Sequence, residues 1–176
     1  MQLDAEALYS LIIQPLALQT ASITPGDHVI DAFCGAGGSA IGFARSGKRV
    51  TAIELEPKRL AMAKHNAALF GVQERIEFIH GDSLKLIPTL SADAIFLAPP
   101  WGGPEYSTRE RFTLECFHPN GNLILKVALL SEAAVVMQLP RNFDFSELGK
   151  LQRKLSLSED LFDGKVLSYT AVLQAR

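Results

Sequence analysis

The 176-residue chain has few cysteines, little net charge and no long apolar segment, and each shortage excludes a class of protein. Its two cysteines, Cys34 and Cys116, fit neither a disulfide framework nor the spacing of a metal site, which favours a reducing compartment. A net charge of −2 provides no broad positive field of the kind that non-specific nucleic-acid binders use. No apolar run reaches the roughly 18 residues that a membrane span requires.

The first residues, Met1 to Glu6, lack the basic start of a secretory signal peptide. We therefore expect an intracellular, non-secreted protein of the cytoplasm or nucleus, with no membrane partner and no bound metal. Without repeats or linkers, the chain is expected to form one domain over residues 1–176, in which residues 1–24 are an N-terminal helical segment.

Apolar residues recur with the periodicities of strands and helices in alternation. The predicted helices lie at residues 4–20 (broken or kinked at Pro15), from Ala40 onward, and at 57–69 and 120–130, with helical turns at 83–88 and 145–148. The predicted strands lie at 29–33, 48–54, 76–79, 93–97, 133–139, 151–157 and 166–173. This alternation predicts an α/β fold whose mostly parallel sheet carries helices on both faces. The last two strands, joined by a turn region at 160–165, are predicted to be antiparallel.

An acidic residue lies at or near the carboxyl end of each of the first three predicted strands: Asp31, Glu54 and Asp82. The carboxyl ends of parallel strands share one edge, where open α/β sheets bind ligands. Asp31 lies just before a glycine loop, residues 34–38, and a carboxylate there repels a pyrophosphate and attracts an ammonium group. Glu54, about twenty residues further on, has the spacing of an acid that accepts both hydroxyls of a ribose. Asp82 is placed to accept from an adenine amine or to cap a helix.

Together the three acids indicate a pocket for a cationic ligand that carries ribose and adenine, and S-adenosylmethionine fits this description. A nicotinamide-dependent dehydrogenase is disfavoured, because Asp31 lies where the pyrophosphate would bind. The glycine loop by itself is equally consistent with a tight turn from strand to helix.

The fourth strand leads into a loop of unusual composition, Ala98-Pro99-Pro100-Trp101. Prolines lack an N–H and restrict the preceding residue, so this Pro-Pro-Trp loop (residues 98–101) is predicted to be a stiff, extended turn. The carbonyls of Ala98 and Pro99 can hold the hydrogens of an exocyclic amine, as methyl transfer to that amine requires. Trp101, the single tryptophan, is predicted to stack on a base or, alternatively, to cover the core.

Three segments of the chain carry a family resemblance: Asp-Ala-Phe-Cys-Gly-Ala-Gly-Gly at 31–38, Ala-Pro-Pro-Trp-Gly-Gly-Pro-Glu-Tyr at 98–106, and Leu-Pro-Arg-Asn at 139–142. With the acids Glu54 and Glu56, they make the chain similar to trimethylguanosine synthases, the RNA cap guanine-N2 methyltransferases. The resemblance implies a class I (Rossmann-like), S-adenosylmethionine-dependent methyltransferase with a seven-stranded sheet. The substrate it implies is the guanine N2 amine of a 7-methylguanosine RNA cap or nucleotide.

The resemblance also implies roles for particular residues. The cofactor pocket would be lined by Asp31, Phe33, Cys34, Gly35, Gly37, Glu54, Asp82, Ser83 and Ala98. The methyl-transfer site would comprise Ala98, Pro99, Pro100 and Trp101. Trp101 would stack on the 7-methylguanine, while Tyr106 and Arg141 would contact the triphosphate bridge. Lys165 lies near the position at which the family has a further phosphate-binding lysine. Ordinary packing for Tyr106 and a surface salt bridge for Arg141 are the alternatives.

Two departures from the family pattern leave other functions open. The family usually has a serine at the position of Ala98, so only backbone carbonyls remain there as acceptors. The family also carries a helical arm before the core, which Leu3-Asp4 and Tyr9-Ser10 match only faintly. The alternatives are an amino-methyltransferase for another nucleobase or RNA, and a non-catalytic module that binds caps or nucleotides.

Overall fold

The computed structural model, which describes residues 1–5 and 7–175, places a seven-stranded sheet between two layers of helices. The strands are β1 His28–Asp31, β2 Arg49–Glu54, β3 Ile76–His80, β4 Ala94–Leu97, β5 Ala134–Pro140, β6 Leu155–Phe162 and β7 Lys165–Leu173. The helices are α1 Ala7–Ser10, α2 Gln14–Ile23, α3 Gly38–Arg45, α4 Pro57–Leu69, α5 Ser83–Leu86 and α6 Gly121–Ala128. Turns of 3₁₀ helix lie at Gln73–Arg75, Ile87–Thr89, Gly103–Thr108, Leu114–Cys116 and Phe145–Lys150.

The sheet has the strand order β3-β2-β1-β4-β5-β7-β6. Strands β1 to β5 are parallel, and β7 is antiparallel to both β5 and β6. The prediction of a mostly parallel sheet with an antiparallel last hairpin is therefore confirmed. After β1 the chain builds outward through β2 and β3, then returns to place β4 on the other side of β1. This reversal marks the switch point at which open α/β sheets bind their ligands.

Two hydrophobic cores lie on the two faces of the sheet. On one face, Phe43 of α3 and Ala63 of α4 pack in the same cluster as Phe96 of β4. On the other face, Ile124 of α6 packs in a cluster with Met137 of β5. Strands covered on both sides have continuous apolar sequences, which is why the central strands were predicted correctly. Across the described ranges, no helix combines the length and the apolar character needed to cross a bilayer.

The single helix predicted at residues 4–20 is two helices, α1 and α2, separated between Ser10 and Gln14. Pro15 lies in the first turn of α2, where the missing N–H is one that a helix leaves unpaired in any case. The interruption therefore precedes the proline. Glu6, which falls within the predicted helix, lies outside the described residues.

The strand predicted at 151–157 was placed too early, because β6 runs from Leu155 to Phe162. The hairpin turns at Asp163 and Gly164, whose φ angles are 50° and 71°. Two residues with positive φ match the twist of a two-residue hairpin, and Asp-Gly is a common sequence for it. That dipeptide is the signal that locates the turn within the broader predicted region at 160–165.

Candidate functional site

The candidate site lies where the carboxyl ends of β1 and β4 meet. Asp31 of β1 is in register with Phe96 of β4, and the amide of Ala32 donates to the Phe96 carbonyl at 3.0 Å. The glycine loop and the Pro-Pro-Trp loop therefore leave the sheet beside each other. The sequence had placed both loops on one edge, and the strand order makes them neighbours.

The glycine loop turns tightly from β1 into α3. The amide of Gly37 donates to the Cys34 carbonyl at 2.8 Å, and the amide of Cys34 donates to the Ile53 carbonyl at 3.0 Å. Gly37 has a φ of 93°, and a β-carbon there would lie 3.2 Å from the backbone of Ala63 in α4. Glycine alone reconciles this conformation with so close an approach. The loop is thus held against both β2 and α4.

Asp31 is fully buried at the start of this loop, and neither carboxylate oxygen has a hydrogen bond of good geometry from the described residues, although the amides of Phe33 and Ala40 lie close to it. Burial raises the pKa of Asp31 to about 7, with nearby Glu54 adding to the rise and the amides of Phe33 and Ala40 opposing it. A buried carboxylate without a partner is costly to ionise, and a cation placed beside it removes that cost. The geometry is therefore that of a site for a positively charged group.

Glu54 ends β2 with its carboxylate held in place by two backbone amides. Its Oε2 accepts from the Gly35 amide at 2.8 Å, and its Oε1 accepts from the Glu56 amide at 2.8 Å. Each oxygen keeps further lone pairs for a ligand. The side chain is thus a fixed, largely buried double acceptor beside the glycine loop.

Asp82 and Ser83 follow β3, and both have structural partners. The Oδ1 of Asp82 accepts from the Leu84 amide at 3.0 Å and so caps α5, while Oδ2 lies 3.6 Å from Nζ of Lys85. The hydroxyl of Ser83 donates to the carbonyl of Ala32. The helix-cap interpretation of Asp82 is therefore correct, and Ser83 links this turn to the end of β1.

Phe33 and Cys34 occupy the turn itself. Phe33 is half-buried, whereas Cys34 is buried, and burial together with Asp31 and Glu54 raises the pKa of its thiol. The thiol therefore stays protonated, and Cys34 contributes packing and its backbone amide. Among the residues that the structure describes, no three His, Cys, Asp or Glu side chains come together as metal ligands do.

Asn66 is a residue of this region that sequence reasoning missed. Buried in α4, it donates to the carbonyls of Ala36 and Gln2, at 2.9 Å each, and accepts from the Gln2 amide at 2.6 Å. An ion pair of 3.0 Å joins Asp4 to Arg59 close by. The N-terminal residues are thus fastened to the glycine loop and α4. A single asparagine within an amphipathic helix gives no local signal of such a role.

The Pro-Pro-Trp loop presents two open carbonyls at the end of β4. Ala98 is half-buried, Pro99 buried and Pro100 exposed. The Pro100 carbonyl accepts from the His118 amide at 3.2 Å, but no described residue donates to the carbonyls of Ala98 or Pro99. The two acceptors that the sequence singled out therefore keep their lone pairs unused by the described residues, on the strand next to that of Asp31.

Because the residues next to Trp101 in the sequence are small, an exposed indole is expected, but the structure buries part of it. It is half-buried and packs edge-to-face against Tyr106, with ring centroids 5.1 Å apart and planes at 74°. Tyr106 lies on the 3₁₀ turn at Gly103–Thr108, so a residue five positions along the chain supports the indole. Both rings also pack against the core on that face of the sheet, so Trp101 covers part of the core, as the alternative interpretation predicted, while its other side stays exposed.

A cavity of about 250 Å³ lies next to this aromatic pair and is lined by Tyr106, Ser107, Arg141 and Asn142. The structure thus brings together the two predicted phosphate contacts. Arg141 is exposed, and no acidic side chain of the described residues forms an ion pair with it. The surface salt bridge considered for Arg141 is absent from that part of the chain.

Lys165 lies on the same edge of the sheet but outside this cavity. Ser168 of β7 is in register with Pro140 at the end of β5, so the start of β7 extends beyond that edge. Lys165 is exposed beside the hairpin turn and does not line the space that Tyr106 and Arg141 share.

Comparisons with known proteins agree with this geometry. Residues 26–169 match the family described as RNA cap guanine-N2 methyltransferase. The chain is 35% identical to the trimethylguanosine synthase of Schizosaccharomyces pombe, over 92% of this chain and 73% of that protein. It is 33% identical to the trimethylguanosine synthase of Saccharomyces cerevisiae, over 77% of this chain and 45% of that protein. A solved RNA methyltransferase from Salinibacter ruber, in complex with S-adenosyl-L-homocysteine, shares the fold with a TM-score of 0.58 at 21% identity, over 92% of this chain and 89% of that one.

Proposed function

The chain belongs to the RNA cap guanine-N2 methyltransferase family and is an S-adenosylmethionine-dependent RNA methyltransferase, and we propose that it methylates guanine N2 in a 7-methylguanosine cap. The observation that carries the proposal is the meeting of two half-sites at the switch point of the sheet. Asp31 and Glu54 supply the acidic side of the proposed site, and Trp101 follows two carbonyls without a described partner on the other side. A capped RNA of the nucleus or cytoplasm is the proposed partner.

The carboxylates of the acidic half-site match the hydrogen-bond donors and the positive charge of S-adenosylmethionine. We assign Asp31 to the ammonium group, because a cation satisfies the carboxylate that the protein leaves unpaired. Glu54 would accept from the ribose hydroxyls with the lone pairs that its two backbone donors leave free. Asp82 would accept from the adenine amine. When bound, S-adenosylmethionine supplies a methyl group on a positively charged sulfur.

The Pro-Pro-Trp loop would position the acceptor amine through its backbone. The carbonyls of Ala98 and Pro99 are proposed to accept the two hydrogens of guanine N2, which directs the nitrogen lone pair toward the cofactor side of the crevice. No strong general base is required, because the proton can leave after the methyl group has been transferred. Trp101 would stack on the cationic 7-methylguanine, a contact worth about 1–3 kcal/mol before any cation–π contribution.

Ala98 favours a second candidate, an amino-methyltransferase for another nucleobase. Without a side-chain acceptor at this position, selection of the amine depends on backbone oxygens, which other exocyclic amines can also use. This candidate differs from the first in one measurable respect, because it requires no preference for the 7-methyl group.

Paired nucleotides and one aromatic substitution test the proposal. We expect the protein to bind S-adenosylhomocysteine and to prefer 7-methylguanosine diphosphate over guanosine diphosphate in calorimetric titrations. Trp101→Ala should weaken binding of 7-methylguanosine diphosphate by about 10- to 100-fold, because stacking is lost, and leave S-adenosylhomocysteine binding unchanged. Phe70→Ala, which removes another partly exposed ring at the C-terminal end of α4, is the matched control and should change neither affinity.

Each result bears on a different part of the proposal. Equal affinity for the two nucleotides contradicts the cap and supports the second candidate. Failure to bind S-adenosylhomocysteine contradicts the assignment of the acidic pocket. An unchanged cap affinity in Trp101→Ala contradicts the stacking role.

A further inference from the structure

Asn142 joins the two walls of the cavity that Tyr106 and Arg141 line. Its side-chain nitrogen donates to the backbone carbonyl of Tyr106 at 3.1 Å and to that of Arg109 at 2.8 Å. Its own backbone carbonyl accepts from the Phe112 amide at 2.8 Å. These bonds fasten the segment that carries Tyr106 to the end of β5.

The side-chain oxygen of Asn142 takes part in none of these hydrogen bonds. It is buried, and no described residue donates a hydrogen bond to it. The amide cannot be turned over to exchange oxygen and nitrogen, because both groups that the nitrogen reaches are carbonyls and accept only from a donor. A buried acceptor without a donor is destabilising, so a donor from outside the chain would stabilise this wall of the cavity.

We propose that Asn142 accepts a hydrogen bond from a ribose hydroxyl of the nucleotide substrate and so selects ribonucleotides, an inference that rests on the proposed function. Phosphate groups beside Arg141 offer acceptors and no donors. The N–H groups of the guanine are donors, but in the proposed function the base stacks on Trp101 and its N2 amine donates to the Pro-Pro-Trp loop. The ribose connects base and phosphate, and its hydroxyls are the donors closest to a cavity in which Arg141 holds the phosphates.

The test is a thermodynamic cycle between one substitution and one missing hydroxyl. The ligands are 7-methylguanosine diphosphate and its 2′-deoxy and 3′-deoxy analogues, and binding is followed by quenching of Trp101, the only tryptophan. Wild type should lose about tenfold in affinity for one of the deoxy analogues. Asn142→Ala should bind every ligand more weakly. It should also bind 7-methylguanosine diphosphate and the deoxy analogue with a ratio of affinities near one, because the oxygen that recognises the hydroxyl is gone.

Two further variants separate the free oxygen from the structural bonds of Asn142. Asn142→Asp keeps an acceptor and loses both donors, so it should bind more weakly overall yet keep the roughly tenfold ratio. Asn120→Ala removes an asparagine whose oxygen already accepts from the Asn122 amide, at the start of α6, and should leave affinity and ratio unchanged. Binding of S-adenosylhomocysteine reports that each variant is folded.

Two outcomes overturn the inference. One is a wild type that binds all three nucleotides equally, which means that an ordered water satisfies Asn142. The other is Asn142→Ala with the wild-type ratio, which limits Asn142 to fastening the segment. If S-adenosylhomocysteine binds but 7-methylguanosine diphosphate does not, the proposed cap substrate itself fails.

Discussion

Replacing Asp31 with asparagine is expected to stabilise the ligand-free protein and to weaken its binding of the methyl donor. The structure leaves this buried carboxylate without a well-formed hydrogen bond from any described residue, and burial raises its pKa from an ordinary 3.8 to about 7 despite the nearby amides of Phe33 and Ala40. An acid with a raised pKa binds its proton more tightly in the folded state than in the unfolded state. The free energy of unfolding therefore falls as the pH rises from 3.8 toward 7.

The size of the effect follows from the shift in pKa. A rise from 3.8 to about 7 corresponds to about 4 kcal/mol, since one pH unit is worth about 1.36 kcal/mol. This cost of ionisation is absent below pH 3.8, amounts to about 2 kcal/mol near pH 5.5, and reaches its full value above about pH 7. Asp31→Asn cannot ionise. The free energy of unfolding of the variant minus that of wild type should therefore be larger at pH 8 than at pH 5.5, by about 2 kcal/mol.

Urea denaturation of both proteins at these two pH values measures the stability, and calorimetry with S-adenosylhomocysteine at pH 8 measures the binding. The variant should lose about 10- to 100-fold in affinity, the usual worth of a hydrogen bond to a charged group. Asp163→Asn, an exposed substitution in the β6–β7 turn, is the control and should show neither effect. A stability difference that is the same at both pH values, or an unchanged affinity, would refute the reasoning.

Two further substitutions address the acceptor loop and a second buried acid. Ala98→Ser adds a hydroxyl acceptor beside the open carbonyls and should raise kcat for guanine N2 methylation by about tenfold, measured with labelled methyl donor; an unchanged kcat contradicts a positioning role for this side chain. Burial raises the pKa of Asp160 although Ser168 and Thr170 donate hydroxyl hydrogen bonds to it, so wild-type stability should decline as the pH rises through that pKa. Asp160→Asn should lack this part of the pH dependence in denaturation curves; an identical dependence contradicts the assignment.

The first five strands were predictable because their signal is local. A strand that is covered on both faces must be apolar along its whole length, so β4 and β5 stand out in the sequence. The edge hairpin is different, because β6 carries polar and apolar residues without a single buried face. Its start was misplaced for that reason, and the Asp163-Gly164 turn was the better local guide.

The candidate site was predictable to the extent that it follows from strand ends. Asp31, Glu54 and the Pro-Pro-Trp loop each adjoin a parallel strand, and parallel strands bring their carboxyl ends to one edge. The supporting contacts had no such signal. Asn66 and Asn142 act through partners far along the chain, and Tyr106 supports Trp101 only because the intervening turn folds back.

The alternation of strands and helices, the acids at the strand ends and the stiffness of the Pro-Pro-Trp loop can all be derived from the order of residues. They depend on residue periodicity and on the covalent restriction of proline. The position of β1 beside β4, which brings Asp31 and the carbonyls of the Pro-Pro-Trp loop to neighbouring strand ends, is set by the fold as a whole. The fold also decides which polar atoms are left without partners. Strand order and desolvation depend on what packs around a residue, and neighbours in the chain do not specify that.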